Sequence, residues 1–347
     1  MPIVGKHFAT AVASLAATML LAAIQPNSFD RAKTLFEQRH WVDAASAFQQ
    51  VEDTSPGKTD ALLYVGKSLI NAGKFSDAGK ALQRYSSAHP HSDDALYLLA
   101  YVRFRENKPE ESLKLSSEAA QIKAPKADDL KIVALDYVLL NDSVSATRYL
   151  EQALAMEPDN VDARYALGRV LYQQNKFDGA IAAFEEVLRL EPAHVKALDN
   201  LGLAFEGENQ MGQALSAYRK ATEIDGASPV HNDQPYLNLG RLLAKMNKSE
   251  DGLPILVRAA EIAPQSGRVH LELGKTYLSL NRLQQAKPEL EEAVRLQPDE
   301  STGHYLLGRL YQRMGSKQLA EKEFKVTQSL IDSKRAGLDA ATGMSPR

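Results

Sequence analysis

The sequence predicts an all-α solenoid made of consecutive pairs of antiparallel helices. Three observations predict this class: small residues recur every 34 positions, apolar residues around them follow the three- and four-residue spacing of a helix, and Asn or Gly stands between the apolar runs. Residues 161–194 are the clearest example, with two apolar helical runs on either side of a short polar segment that contains Asn175. Copies of this helix–turn–helix unit account for nearly the whole chain.

Each unit carries a small residue in its first helix and a second small residue twelve positions later. The first set is Ala32, Gly66, Ala100, Ala134, Gly168, Gly202, Gly240, Gly274 and Gly308. The second set is Ala44, Ala78, Ser112, Ala146, Ala180, Ala214, Gly252, Ala286 and Ala320. Antiparallel helices approach closely only where their facing residues are small, so we expect a helix crossing at each pair, where a bulkier side chain costs about 1–3 kcal/mol by overpacking.

The turns and the ends of the units are also marked in the sequence. One turn position holds Asn107, Asn141, Asn175, Asn209, Asn247 and Asn281, and Gly73 and Gly315 fill it in two other units. Asn and Gly tolerate the left-handed conformation that ends a helix. Six units end in a proline, which cannot continue a helix: Pro56, Pro90, Pro158, Pro192, Pro264 and Pro298.

This pattern resembles the tetratricopeptide repeat family over roughly residues 25–334. The resemblance implies a right-handed superhelical solenoid in which each repeat contacts only its neighbours. We expect nine 34-residue repeats in 26–334 and a disordered tail at 335–347. A four-residue insertion near 226–234, between Gly226 and Pro235, is interpreted as a tolerated loop or as a hinge that touches a partner. Arg103 and Ser116 take positions that are usually apolar, which predicts looser packing there.

The N-terminal segment, residues 1–25, is predicted to be a signal peptide or a membrane anchor. Lys6 precedes Phe8–Ile24, a 17-residue run without charge, as in a secretory signal. A cut after Ala23 would place Leu21 at the poorly suited −3 position. An uncleaved anchor stays open, because 17 residues at about 1.5 Å each barely reach the roughly 30 Å hydrocarbon thickness. Both alternatives place the repeats outside the cytoplasm, either exported to the periplasm or beyond, or tethered to the membrane.

Composition and motifs argue against several functions. The chain has no cysteine, which excludes thiol catalysis and disulfides, and its net charge of −3 lacks the basic excess of a nucleic-acid binder. The strings HExxH, GxSxG and GxxxxGK[ST] are missing, so we predict neither an enzyme nor a cofactor.

Histidines give no firm sign of a metal site. His89 and His91 stand near Asp93 and Asp94, yet at a junction between units, where a polar turn is expected. His270 and His304 are 34 residues apart, which is typical of equivalent packing residues rather than ligands. We therefore predict no metal.

The resemblance also implies where a ligand docks, because in this family a concave groove is lined by positions 2, 5, 9, 12 and 13 of each first helix. At those positions stand Tyr97, Tyr101, Arg105, Tyr165, Arg169, Tyr172, Lys196, Asp199, Arg241, Lys245, Arg268, Lys275, Tyr305, Arg309 and Arg313. Asn200 and Asn238, at position 6, resemble the asparagines that hold a ligand backbone in the family. Exposed aromatic residues beside arginine are typical of interface anchors.

Charge is distributed unevenly along the repeats. Residues 25–232 carry 23 Lys and Arg against 30 Asp and Glu, a net charge of −7, whereas residues 233–334 carry 15 against 13, a net charge of +2. We therefore expect an extended peptide in the groove, with aromatic contacts in the middle and acidic groups toward the C-terminal end.

Together these observations predict a non-catalytic protein–protein interaction scaffold of the cell envelope that binds an extended peptide or protein segment in its groove. A structural subunit of an envelope assembly or secretion complex is the alternative, and an enzyme-associated subunit is a third. Partners are predicted to be proteins or peptides with acidic segments rather than nucleic acid, and any membrane contact is expected only through an uncleaved N-terminal segment.

Overall fold

A computed structural model describes residues 28–57 and 60–342, with side chains as far as residue 336, and in these residues the chain forms eighteen α-helices and no β-strand. The predicted all-α tetratricopeptide fold class is therefore confirmed. The predicted signal or anchor at residues 1–25 lies outside the described residues. Among the described helices, none has both the length and the apolar content that a membrane crossing requires.

The chain divides into two compact units, residues 1–163 and 164–347, here called the first and second units. The helices of the first unit are α1 (Ser28–Glu37), α2 (Trp41–Thr54), α3 (Ala61–Asn71), α4 (Phe75–Ala88), α5 (Asp93–Arg105), α6 (Pro109–Ile122), α7 (Ala127–Leu139) and α8 (Ser143–Met156). Helix α9 (Val161–Gln173) begins at the boundary. The second unit continues with α10 (Phe177–Leu190), α11 (Val195–Gly207), α12 (Met211–Gly226), α13 (Asp233–Lys245), α14 (Ser249–Ile262), α15 (Gly267–Ser279), α16 (Leu283–Leu296), α17 (Ser301–Arg313) and α18 (Lys317–Thr342).

A three-residue turn joins the two helices of each pair, and its middle residue is left-handed. The six predicted asparagines have φ between 57° and 60°, and Gly73 and Gly315 have φ of 73° and 79°. After α9, the N–H of Asn175 donates to Tyr172 O and the N–H of Lys176 donates to Leu171 O, both at 2.9 Å. These bonds satisfy the last carbonyls of the helix, as the turn prediction requires. The first turn holds Arg39 with φ 61°, which the sequence pattern did not identify.

The predicted helix crossings are confirmed by the space around the glycines. A Cβ atom on Gly168 would lie 2.6 Å from the ring of Phe184, and one on Gly202 would lie 2.4 Å from the ring of Tyr218. On the facing helix, a Cβ atom on Gly252 would lie 2.9 Å from the carbonyl oxygen of Gly240. A large side chain of the second helix therefore fills the space beside Gly168 and Gly202, whereas at Gly252 the two backbones themselves approach closely.

The third and fourth helix pairs bury polar groups at positions where neighbouring pairs bury apolar ones. Ser116 stands where Leu82 and Phe184 stand in other pairs, and it is buried. Arg103 contacts Glu106 at 2.7 Å and Glu111 at 3.0 Å, so its charge is neutralised locally. Asp136 is fully buried and neither of its carboxylate oxygens has a hydrogen-bond donor. Burial raises the pKa of Asp136 to about 7. The two pairs therefore contain buried or half-buried polar groups. Looser packing around them stays a prediction.

The insertion is a folded loop held by a buried acid. Helix α12 has sixteen residues where the earlier second helices have fourteen, and α13 begins at Asp233, two residues before the proline expected to start it. Asp225, which is 3% exposed, accepts from the N–H of Asn232 at 2.9 Å and contacts Nδ1 of His231 at 3.2 Å. Asn232 in turn caps α13 by accepting from the N–H of Gln234. The predicted role of the insertion as a hinge that touches a partner stays a prediction.

His270 and His304 occupy equivalent packing positions, as the 34-residue spacing predicts. In each, Nδ1 faces a glutamate, Glu289 at 2.7 Å or Glu323 at 2.6 Å. Each Nε2 faces a proline carbonyl oxygen, Pro264 at 3.1 Å or Pro298 at 3.0 Å. Because both partners are acceptors, both contacts are hydrogen bonds only when the ring carries a proton on each nitrogen.

The C-terminal tail differs from the prediction. Residues 335–342, expected to be disordered, form the end of α18, which runs to Thr342. The sequence RAGLDAAT is rich in strong helix formers and lacks proline, so the preceding helix continues into it. Residues 343–347 lie outside the described part of the chain.

Candidate functional site: grooves along the first helices

The candidate site in the second unit lies along the first helices α9, α11, α13 and α15. The 34-residue repeat places residues of the same helix position on the same face of successive first helices. Two adjoining pockets, which share Leu203 and Arg241, lie along this face. We call them the polar pocket and the apolar pocket.

The polar pocket has a volume of about 390 Å³ and a strongly basic lining. It is lined by Tyr165, Arg169, Lys196, Asp199, Asn200, Leu203, Asn232, Gln234, Asn238, Arg241 and Arg268. Arg169, Lys196 and Arg268 are exposed, and in the described part of the chain no carboxylate lies within ion-pair distance of them. Three cations are thus available to an anionic group.

The floor of the polar pocket contains a buried acid. Asp199 is 5% exposed, and its Oδ1 accepts from Nδ2 of Asn238 at 2.9 Å. Burial raises the pKa of Asp199 to about 6, although the Asn238 hydrogen bond and the charge of Arg241 lower it. A fraction of Asp199 is therefore protonated near neutral pH, and its charge appears as the pH rises through about 6.

The two candidate asparagines differ in what they can offer a ligand. Asn238 is 2% exposed, donates to Asp199 and accepts from Nε2 of Gln234 at 3.1 Å. Its buried amide is already bonded within the protein, so a ligand backbone would have to compete with these contacts, and the expectation that Asn238 holds a ligand stays a prediction. Asn200 is half-buried and donates to Lys196 O at 2.7 Å and to the Tyr165 hydroxyl at 3.1 Å. None of the described residues donates to its amide oxygen, which can accept from a peptide N–H.

The apolar pocket is larger, about 650 Å³, and its cations are already paired. Its lining consists of Tyr172, Leu203, Glu206, Gly207, Arg241, Ala244, Lys245, Ser249, Lys275, Thr276 and Ser279. Glu206 accepts from Arg241 at 3.2 Å and lies 3.6 Å from Nζ of Lys245. Glu206 also accepts from the Tyr218 hydroxyl at 2.8 Å. Lys275 pairs with Glu272 at 3.1 Å.

A third pocket, in the first unit, combines tyrosines with paired charges. It has a volume of about 390 Å³ and is lined by Lys67, Asp94, Tyr97, Leu98, Ala100, Tyr101, Ser116, Lys126, Asp128, Asp129, Lys131 and Ile132. The Tyr97 hydroxyl donates to Lys123 O, and burial raises the pKa of Tyr97 to about 12. Arg105 donates to the Tyr101 hydroxyl at 2.8 Å and lies 4.1 Å from the ring centre of Phe75. We call this the first-unit pocket.

Most of the predicted groove residues line these three pockets. Tyr165, Arg169, Asn200, Asn238 and Arg241 line the polar pocket, Tyr172, Arg241 and Lys275 line the apolar pocket, and Tyr97 and Tyr101 line the first-unit pocket. Arg105 and Arg309 line none of the three, and Arg309 lies over the ring of Tyr305.

Several lining residues were not proposed from the sequence, among them Leu203 and Glu206. These two stand at positions 9 and 12 of α11, so the helix positions alone identify them. Choosing residues by aromatic or basic character left them out.

No metal site is found where the histidines were considered. His89 stacks on Tyr85 with 4.2 Å between ring centres, and its Nδ1 contacts Tyr85 O. Asp93 pairs with Lys123 and Asp94 with Lys67, both at 3.5 Å. Over the described residues, no group of three His, Asp or Glu side chains is placed to hold a metal ion.

One curated relative and several solved structures are similar to this chain. It is 28% identical over 141 residues to the cellulose synthase operon protein C of Pseudomonas fluorescens (strain SBW25), which covers 38% of this chain and 11% of that protein. The chain thus spans about a tenth of that relative's length.

Solved structures share the fold. The APC/C hetero-tetramer Cut9–Hcn1 aligns with a TM-score of 0.59 and 17% identity, covering 81% of this chain and 54% of that chain. Pseudomonas aeruginosa PilF aligns with a TM-score of 0.53 and 20% identity, covering 63% of this chain and 96% of that chain. PilW, a type IV pilus biogenesis factor, aligns with a TM-score of 0.51 and 21% identity, covering 63% of this chain and 94% of that chain. At these identities the similarity shows the fold alone.

Family models match the repeats directly. One model of the tetratricopeptide repeat matches residues 35–100, 139–201 and 243–310, and a second matches residues 195–228. These segments make up more than half of the chain, and they coincide with the helix pairs and left-handed turns described above. The number of nine repeats stays a prediction. The chain belongs to the tetratricopeptide repeat family.

Proposed function

We propose that this protein is a non-catalytic interaction scaffold of the cell envelope, and that its second unit holds an extended, acid-containing segment of a partner protein. One observation carries the proposal: Arg169, Lys196 and Arg268 line one pocket on three different helices and lack an ion-pair partner among the described residues. A carboxylate entering this pocket would form charge-assisted hydrogen bonds, which are stronger than neutral ones.

Neighbouring groups support a peptide rather than a free anion. Tyr165 and Tyr172 are half-buried beside the cations, and aromatic side chains of this kind supply much of the energy of protein interfaces. The amide oxygen of Asn200 can accept from a backbone N–H of the partner. The pocket volumes of 390 and 650 Å³ suit one or two side chains each.

Ion pairs within the protein change the choice of anion-binding residues. Arg241 and Lys275, expected from the sequence to meet acidic groups, already pair with Glu206 and Glu272. An acidic ligand would have to compete with those carboxylates. Arg169 and Lys196 therefore join Arg268 as the proposed anion-binding groups, and the acidic part of the ligand is placed on α9, α11 and α15.

The cellular setting is proposed from the sequence. Lys6 followed by the uncharged run Phe8–Ile24 indicates export or tethering, and either would place the groove in the envelope or outside the cell. Fractionation of cells that express the full chain, followed by N-terminal sequencing, distinguishes a cleaved signal from an anchor. Recovery of an uncut protein in the cytosol would contradict both.

Photocrosslinking in cells tests the groove. A photoreactive amino acid in place of Leu203 reports on both pockets, because that residue lines each of them. We expect one discrete partner in the envelope fraction, and we expect its capture to be lost in the double variant Arg169→Glu/Arg268→Glu. Arg219→Glu/Lys220→Glu, a double reversal of the same total charge at exposed residues of α12, is the matched control and should keep the capture. Capture that survives the double reversal would refute the acidic-segment proposal.

A structural subunit of an envelope assembly is the second candidate, and an exposed apolar patch favours it. Leu139, Leu140 and Val144, at the turn between α7 and α8, are 40%, 36% and 79% exposed. Exposed apolar clusters often mark protein contacts. A photoreactive residue at position 144 that captures a stable assembly partner, with no capture from position 203, would support this role instead.

A further inference from the structure

Resting on the proposed function, we propose that the second unit recognises two features of its partner segment at once. An acidic side chain enters the polar pocket, and an apolar side chain three or four residues away along an extended chain enters the apolar pocket. The recognised element is therefore a short two-point motif rather than general acidity.

The two pockets differ in what they leave unsatisfied. In the polar pocket the unpaired groups are cations, and the floor consists of amides and the buried Asp199. In the apolar pocket Arg241 and Lys245 share the carboxylate of Glu206 and Lys275 pairs with Glu272, so each cation already has a partner, while Leu203, Gly207 and Ala244 supply apolar surface. A carboxylate gains most in the first pocket and an apolar side chain gains most in the second.

The separation of the pockets follows from the helices that line them. On α13 the residues that line the polar pocket lie between 234 and 241, and those that line the apolar pocket lie between 241 and 245. On α15 residue 268 lines the polar pocket, and residues between 275 and 279 line the apolar pocket. The midpoints of the two sets of lining residues are about five residues apart on α13 and about nine apart on α15. At about 1.5 Å per residue, these separations are roughly 8 Å and 13 Å along the helices. The two ligand side chains must span this distance.

Chain geometry converts that distance into a spacing. In polyproline II conformation, residues i and i+3 point to the same side and lie about 9 Å apart. In a β-strand, residues i and i+4 share a face about 13 Å apart, whereas i and i+2 reach only about 7 Å. Spacings of three or four residues therefore match this span, whereas adjacent residues fall short of it and a spacing of six exceeds it.

Peptide selection on the purified full chain tests the motif. Random nine-residue peptides are selected on the immobilised protein, and synthetic versions capped at both ends are then measured by fluorescence anisotropy. We expect a consensus of Asp or Glu three or four positions from Leu, Ile, Met or Phe. Moving the two residues to adjacent positions, or to a spacing of six, should weaken binding about tenfold, the loss of one charge-assisted or apolar contact.

Two variants assign each half of the motif to its pocket. Arg268→Glu should abolish the preference for the acidic residue and keep that for the apolar one, whereas Ala244→Glu should do the reverse. Arg219→Glu is the charge-matched control, and circular dichroism checks the fold of all three. Selected peptides that crosslink to position 203 without this spacing would overturn the two-point motif and leave the proposed function standing. Absence of any selected peptide at the groove would overturn both.

Discussion

The first-unit pocket and the polar pocket of the second unit have the same volume, about 390 Å³, and lie on equivalent first helices, yet their charges are in opposite states. In the first unit Lys67, Lys126 and Lys131 pair with aspartates at 3.5, 3.7 and 2.7 Å. In the second unit Arg169, Lys196 and Arg268 have no such partner among the described residues. Both pockets thus contain at least three cations on or beside first helices, and local charge pairing decides which pocket can attract an anion.

The interiors of the two units differ as well. In the second unit, glycines such as Gly202 and Gly240 face large side chains, here Tyr218 and Leu256, at less than ordinary contact distance for any added Cβ atom. The first unit buries Asp136 without a hydrogen-bond donor. The first unit also places Gly66 against Leu82, 2.5 Å from an added Cβ atom, so steric fit matters in both units, whereas among the described residues an acid buried without a donor is found in the first unit alone. Four predictions test this contrast, from the largest expected effect to the smallest.

Gly202→Ala should destabilise the second unit most. The new Cβ atom would lie 2.4 Å from the rigid ring of Tyr218, so helices α11 and α12 must move apart. We expect a loss of about 3 kcal/mol in the free energy of unfolding, at the upper end for overpacking. Urea denaturation followed by circular dichroism measures the loss, and hydrogen exchange should place it around α11 and α12.

Gly212→Ala is the control, because nothing lies within 4 Å of a Cβ atom built on Gly212 in α12. It should stabilise the helix by about 0.5–1 kcal/mol. Equal effects of both substitutions would show that helix propensity, rather than the crossing, decides the outcome.

Asp136→Val should stabilise the first unit, since Val102 and Val170 occupy the equivalent position in neighbouring first helices. The pKa of Asp136 is raised from 3.8 to about 7, so the folded state binds an extra proton between these values. Stability of the native protein therefore falls as the pH rises from about 4 through 7. We expect the variant to gain about 2 kcal/mol at pH 4, the usual cost of an unpaired buried polar group, and clearly more at pH 8, where the folded native protein must also bury the charge. A gain independent of pH would show that Asp136 does not titrate as described.

Ligand binding should depend on pH through Asp199. Its pKa, raised from 3.8 to about 6, makes the floor of the polar pocket negative as the pH rises from 5.5 to 7.5. Affinity for a glutamate-containing peptide should fall about fivefold over this range, roughly 1 kcal/mol for one added charge near the ligand. Asp199→Asn can still accept from Asn238, and it should abolish the pH dependence. Anisotropy titrations at both pH values measure the effect, and an unchanged slope in the variant would exclude Asp199 as its source.

Arg39→Gly should give the smallest change. Arg39 has φ 61° at the turn position that Asn or Gly occupies in the other pairs. Relief of the left-handed strain should stabilise the first helix pair by about 0.5–1 kcal/mol. Thermal melting measures it, with Asn175→Gly as the comparison at an already suitable position. A loss of stability on Arg39→Gly would show that the arginine side chain makes a compensating contact.

Much of the fold could be predicted from the sequence because the information is local and repeated. The turn asparagines, the crossing glycines and the equivalent positions of His270 and His304 all follow from the 34-residue period, and each is found where the pattern places it. The end of α18 was missed, since glycine and low apolar content at 337–347 indicated disorder, whereas helix formers continue the helix to Thr342. Position within the repeat also placed most of the predicted groove residues in the pockets.

Whether those residues are free to contact a ligand could not be predicted from the repeat pattern. Whether Arg241 is free or paired depends on Glu206, 35 residues away, and whether Asn238 offers an amide depends on Asp199, 39 residues away. Such partners belong to neighbouring repeats and vary in a way that the period does not encode.

The sequence by itself therefore determined the repeating helix pairs, their turns and their crossings, because each of these depends on steric preferences within some 34 residues. Only the tertiary structure decided which charges are neutralised, which amides are used up and which acid is buried without a donor. Those outcomes depend on distances of a few ångströms between side chains on different helices, where electrostatic and hydrogen-bond energies change most steeply.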